Sequence, residues 1–195
     1  MTLRLIPAVL ILTLPACASS PPTRFFTLNP VAPAAPVTSA AGHALVKIDA
    51  VHIPPALDRN SLVRGESGSQ LQISSQDRWA GDLGETIRKV LTQDLASRLP
   101  AGAVIAPNAP APPAAHGLVV DVLTFQPRGG EVVLDADWTL LEGTQTNPVL
   151  RRSEHLTTAA APTAQGEAAA MSRLLGELAD RMAAQIGGAS QRARS

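Results

Sequence analysis

From residue 44 to residue 186 the hydrophobic positions switch between a period of two and a period near 3.6. These two spacings mark strands and helices. Ala44–Ile53 carries Leu45, Val46, Ile48 and Val51 at strand-like positions and stops at Pro54-Pro55. Two short runs, Asn60–Gly65 and Gln70–Ser74, flank the cluster Gly65-Glu66-Ser67-Gly68-Ser69, a turn composition that predicts a hairpin. Over Arg78–Leu99 the period lengthens. Trp79, Leu83, Ile87, Val90, Leu91, Leu95 and Leu99 form one stripe, with Asp77 in place for an N-cap and Pro100 as the stop. Gly81 and Gly84 weaken that helix locally, by up to about 1 kcal/mol each against alanine. Ala101–Ala115 is proline-rich and reads as a loop. Period two then returns in Leu118–Phe125, Glu131–Leu141 and Val149–Thr158, with turns at Pro127-Arg128-Gly129-Gly130 and Gly143–Pro148. In the middle run Val132, Leu134, Ala136, Trp138 and Leu140 share one face and Val133, Asp135, Asp137 and Thr139 the other, as in an antiparallel strand with one wet side. A last helix runs from a Thr163 cap to Ile186, with Met171, Leu174, Leu175, Leu178 and Met182 on one side and Gly187-Gly188 expected to end it. The order predicts an α+β fold: a mostly antiparallel sheet with two helices packed on one face.

The N-terminal part follows different rules. Arg4 precedes an apolar run, Leu5–Leu14, that is too short to span a bilayer, which takes about 20 residues. Leu14-Pro15-Ala16-Cys17 follows, and Cys17 is the single cysteine of the chain. A charged start, a short apolar middle and a small residue before the cut describe a signal peptide. A cysteine immediately after that small residue makes it a lipobox, although Pro15 stands where Ala, Ser, Thr or Val is usual. The expected organisation is a signal peptide over 1–16, a lipidated Cys17 with a tether over 17–23, one periplasmic domain over 24–188 and a frayed tail over 189–195. Cys17 would carry a thioether-linked diacylglyceryl group and an N-acyl chain such as palmitate, with no other cofactor. The competing expectation is an ordinary secretory signal cut near Ala18. Ala18-Ser19 lacks the acidic residue that retains lipoproteins at the inner membrane, so the expected location is the outer membrane, facing the periplasm. Arg24-Phe25-Phe26-Thr27-Leu28 is a short strand-like run close behind the anchor, and Asn29–Gly42 is an irregular connection.

Composition narrows the function classes. The 16 basic and 16 acidic side chains cancel, which argues against a nucleic-acid partner, because that would need a basic face. With Cys17 lipidated, no thiol is left for a disulfide or a metal site. Aromatics are 3%, so Leu, Val and Ile must build the core around Phe25, Phe26, Trp79, Phe125 and Trp138.

Candidate chemistry is thin. Asp135 and Asp137 share a strand face with Asp121 next door, a grouping that suits acid–base work or a hard cation but more commonly a solvated sheet face. Gly65–Ser69 approaches a nucleophile elbow, yet its fifth residue is Ser69 and its flanks are strands rather than strand and helix. His43, His52, His116 and His155 show no helical metal spacing, and no phosphate-binding P-loop is present. No metal site is expected.

In order along the chain come Arg24-Phe25-Phe26-Thr27-Leu28, Ile53-Pro54-Pro55-Ala56-Leu57-Asp58-Arg59, Leu62-Val63-Arg64, Arg78-Trp79-Ala80-Gly81-Asp82-Leu83, Val90-Leu91 and Asp94-Leu95. After a lipobox, this set resembles the PqiC-like family of auxiliary lipoproteins of ABC-type and MCE-type transport systems. It departs at Pro15, at Phe25-Phe26 where tyrosines are common, and at Gly81-Asp82. The resemblance implies a non-enzymatic outer-membrane lipoprotein that docks onto an MCE-domain protein of an intermembrane lipid transporter. It also admits a homo-oligomeric ring. For structural and partner roles the candidates are Trp79, as an anchor at the helix start, and Arg59, Arg64 and Arg78, as bridges fixing the loop after Pro55. Two other classes stay open: a lipid- or hydrophobe-binding module with a groove between helix and sheet, and an envelope hydrolase built on Asp121, Asp135 and Asp137.

Overall fold

A computed structural model describes residues 21–33, 45–67, 70–143 and 148–192. Cys17 and His43 lie outside these residues, as does Gly68 of the glycine-serine turn. Ten elements follow one another: β1 (Arg24–Phe26), β2 (Val46–His52), β3 (Ser61–Ser67), β4 (Gln70–Trp79), α1 (Leu83–Arg98), β5 (Val104–Ile105), β6 (His116–Arg128), β7 (Glu131–Leu141), β8 (Pro148–Ala159) and α2 (Ala164–Arg192).

They form two sheets. The larger has the order β5-β2-β6-β7-β8 and the smaller β1-β4-β3. The β6–β7–β8 meander is antiparallel, and both helices pack against the larger sheet and each other. The fold is α+β, as expected, but the sheets are mixed: β2 runs parallel to β5 and β6, and β1 parallel to β4. Parallel neighbours need long connections, and β2 reaches β6 only after the β3–β4 hairpin, α1 and β5.

Alternation in β7 sets the core. Val132, Leu134, Ala136, Trp138 and Leu140 are buried. They meet Ile87, Leu91 and Leu95 of α1 and Leu174, Leu175, Leu178 and Met182 of α2 in one cluster that also takes in Trp79 and Leu62 of the small sheet. The β6–β7 turn is tight because Gly129 and Gly130 both adopt positive φ, 62° and 90°, the backbone that matches strand twist in a two-residue hairpin.

Three boundaries differ from expectation. Trp79 ends β4 instead of opening α1, since β4 continues to be paired through residue 79: Trp79 N–H donates to Asn60 O, and Phe26 lies opposite it on β1. The N-cap is Asp82, whose carboxylate accepts from Glu85 N–H at 2.7 Å, not Asp77. Trp79 still buries its ring with the α1 stripe, which is why a strand residue fits a helical spacing. At the other end α2 continues through Gly187-Gly188 to Arg192. A glycine stops a helix when it turns left-handed, and Gly187 is not among the glycines with positive φ. Within the expected loop, Val104–Ile105 forms a short edge strand beside β2.

Candidate functional site

Two clusters of charged side chains, each built on a buried aspartate, lie where the helices meet the rest of the fold. The first is built by β1, β3, β4 and the start of α2. Asp77 is 2% exposed. Its Oδ1 accepts from Arg24 Nε at 2.7 Å, and its Oδ2 accepts from Ser74 Oγ at 2.9 Å, with Arg64 Nη1 further off at 3.5 Å. Arg64 turns its other edge to Glu167: Nη2 donates to Oε1 at 2.9 Å, and Nε sits 2.6 Å from Oε2 without hydrogen-bond alignment. One guanidinium thus joins the small sheet to the first turn of α2. Burial acts against the Asp77 charge, but the Ser74 hydroxyl and the Arg24 and Arg64 guanidiniums outweigh it and hold the carboxyl below its ordinary value.

Beside this cluster opens a cavity of about 640 Å³. Its walls are Gln72–Ser75 of β4, the β6–β7 turn from Pro127 to Glu131, and Ala160–Pro162, with Arg64 and Glu167 at its base. Gly65 is favoured here by its backbone: its φ of 147° disfavours a side chain, although a Cβ would meet Pro127 O only at an ordinary contact distance. The Ser74 hydroxyl is committed to Asp77, whose backbone N–H it also receives at 2.9 Å. Paired charges and the half-exposed Ile73 give this cavity a mixed, mostly polar lining.

The second cluster is where the N-terminal arm crosses the helix pair. Asn29 N–H donates to Ser172 Oγ of α2 at 3.1 Å, and Val31 N–H donates to Asp94 Oδ1 of α1 at 2.7 Å. Val31 O accepts from Arg98 Nη1 at 2.9 Å, while Arg98 Nε donates to Asp180 Oδ1 at 2.7 Å. Gly176 makes room: a Cβ there would stand 2.9 Å from Val31 Cβ. Asp94 is fully buried, and its Oδ2 has no hydrogen-bond partner among the described residues. Burial raises its carboxyl above the ordinary value; the Val31 N–H and the Arg98 charge offset only part of this, and Asp180 adds to it.

The other sequence candidates are scattered. Arg59 Nε donates to Ala56 O at 2.7 Å, closing the turn after Pro55. Arg64 bridges elsewhere, to Asp77 and Glu167. The Arg78 side chain makes no hydrogen bond or ion pair with a described residue, so the three arginines do not act on one loop. Asp121 pairs with His52 at 2.7 Å and Asp135 with His155 at 2.5 Å on the outer face of the larger sheet. Asp137 faces Asp121 across the β6–β7 ladder. Glu167, Arg98 and Asp180 were not picked out from sequence, while Asp77 was expected only as an N-cap and Asp94 entered only through the pair Asp94-Leu95. One signal was available: Val90, Asp94 and Arg98 are four residues apart, which puts two charges on a largely apolar helix side.

Residues 26–183 match the family described as ABC-type transport auxiliary lipoprotein component. The chain belongs to that family. It is 30% identical over 122 residues to the intermembrane transport lipoprotein PqiC of Escherichia coli K12 and equally to that of Shigella flexneri, over 56% of its own length and 64% of theirs. It thus spans less than two thirds of these relatives. Among solved structures, an uncharacterised protein superposes with a TM-score of 0.64 at 25% identity, covering 85% of this chain and 97% of the other. Protein XCC0632 from Xanthomonas campestris superposes with a TM-score of 0.67 at 13% identity, covering 88% of this chain and all of the other, a likeness of fold. The lipoprotein-family reading made from the residues therefore holds. No helix among the described residues is long and apolar enough to cross a membrane.

Proposed function

We propose that the chain is a non-catalytic docking adaptor in an ABC/MCE-type intermembrane lipid transport system. It is held on the periplasmic side of the outer membrane by acyl chains on Cys17. Two or three acyl chains, at about 0.8 kcal/mol per buried CH₂, hold far longer than one. The observation that carries the reading is the family match over nearly the whole folded part, together with the groove between β4, the β6–β7 turn and α2. There Arg64 and Ser74, both engaged by Asp77, and Glu167, paired with Arg64, make a polar wall. Such a wall suits a protein segment, with the MCE-domain component as the expected occupant. The open edge of β8, at the end of the larger sheet, offers main-chain groups to a second copy, which is how a ring would close.

A photo-crosslinking residue at Gln72, in lipidated protein within the native envelope, tests the adaptor reading. The expected product is a covalent adduct with the MCE-domain protein, absent when the same residue replaces Leu123 on β6. Adducts at neither position, or equal adducts at both, would remove the groove as the docking site. Loss of acyl label from mature protein would remove the anchor.

A further inference from the structure

β1 places two successive aromatics in opposite environments. Phe26 packs against the core, whereas Phe25 is 66% exposed, the most exposed of the large hydrophobics. In the parallel ladder Phe25 lies opposite Arg78 of β4, and neighbours across a ladder project to the same face. The Arg78 side chain has no carboxylate or carbonyl partner among the described residues. Arg24, one residue before Phe25, projects to the other face with Phe26 and is taken up by Asp77. An exposed aromatic ring beside an unengaged guanidinium is the pairing that settles at a lipid headgroup layer, ring toward the acyl boundary and cation toward phosphate.

A single exposed apolar side chain needs no explanation; Ile73, Leu123 and Val149 are others. Phe25 differs in its covalent surroundings. Arg24 lies seven positions after Cys17 in the sequence, and a fully extended chain covers at most about 3.6 Å per residue, so the start of β1 can stand no more than roughly 25 Å from that cysteine. Of the ten elements, β1 has the shortest chain path to Cys17.

We propose that the face formed by Phe25 and Arg78 rests on the phospholipid surface, orienting the domain with its small sheet against the headgroups. This rests on the lipid-anchor reading of Cys17. The occupant is an anionic phospholipid layer, recognised through its phosphates by Arg78 and through its upper acyl region by Phe25.

The test uses lipidated full-length protein in vesicles of phosphatidylethanolamine and phosphatidylglycerol with brominated acyl chains. Trp79 and Trp138 are buried and give a constant background. Phe25→Trp adds a reporter on the proposed face, and Leu123→Trp adds one elsewhere. The expected result is a blue shift and loss of about half of the added emission for Phe25→Trp, with none for Leu123→Trp. Adding Arg78→Gln should reduce the quenching in phosphatidylglycerol vesicles to the level seen without that lipid. Unchanged urea midpoints for the variants would establish that they fold. Protein that floats with the vesicles while Phe25→Trp stays unquenched overturns the proposal and leaves the anchor intact. Protein that does not float overturns both. A blue shift that follows protein concentration without quenching assigns Phe25 to a second copy of the chain and likewise overturns the lipid contact.

Discussion

Asp77 and Asp94 are both almost completely buried, yet their surroundings drive their carboxyls in opposite directions. Asp77 accepts from a hydroxyl and a guanidinium and has a second guanidinium at the edge of range. Asp94 accepts one aligned backbone N–H and shares its single arginine with Asp180. Burial penalises both charges; the count and alignment of donors decide the outcome. The lesson concerns roles. The Asp77 carboxylate is well supplied with donors, and its partners Ser74 and Arg64 line a solvent-open groove. The Asp94 cluster is under-satisfied and closed over by the N-terminal arm.

The sharpest way to break this contrast is to remove the shared arginine. Arg98→Met would leave Asp94 buried without its cation and is expected to cost about 3–5 kcal/mol, read from urea unfolding. Arg64→Met should cost less, about 2 kcal/mol, because Arg24 and Ser74 still hold Asp77 and the carboxylate left without its cation, Glu167, lines the solvent-open groove. If the two losses proved equal, the difference between the clusters would be an illusion of geometry. Gly176→Ala is expected to cost about 1–3 kcal/mol by forcing Val31 off the helices. It should also raise protease cleavage within the arm before any global unfolding.

The smallest effect is the pH dependence, and its sign differs between the two. Asp77 titrates below the ordinary aspartate value, so its contribution is present above about pH 4 and fades as pH falls through its folded value. Asp94 titrates above that value, so its contribution is complete below about pH 4 and fades as pH rises through its folded value. Asp77→Asn should therefore flatten the acid side of a stability–pH curve, and Asp94→Asn should remove a decline on its less acidic side. Urea midpoints between pH 3 and pH 7 check both.

Much of the larger sheet was legible because its strands have one wet side. The β7 alternation, the Gly129-Gly130 turn and the α2 stripe all appear where the spacing put them. The start of α1 was not legible: Trp79 and Leu83 are four apart, and nothing local shows that one ends a strand before the other begins a helix. Only pairing with Phe26 and Asn60, distant in sequence, resolves it. Parallel neighbours escaped for the same reason, since register between remote strands is not written in either strand alone. The charged clusters join residues as far apart as Arg24 and Asp77, or Arg64 and Glu167, and no spacing rule could bring these together.

The route of the arm carries a mechanical consequence. Any tension arriving through the residues before Arg24 first loads β1, whose parallel bonds to β4 must slide together rather than peel one by one. Whatever passes that point meets Asn29 and Val31, stitched to one helix each. Strain from the chain's leading end is thus spread over the small sheet and both helices before it can reach the meander, so a tug there should turn the domain as one piece before it unravels it.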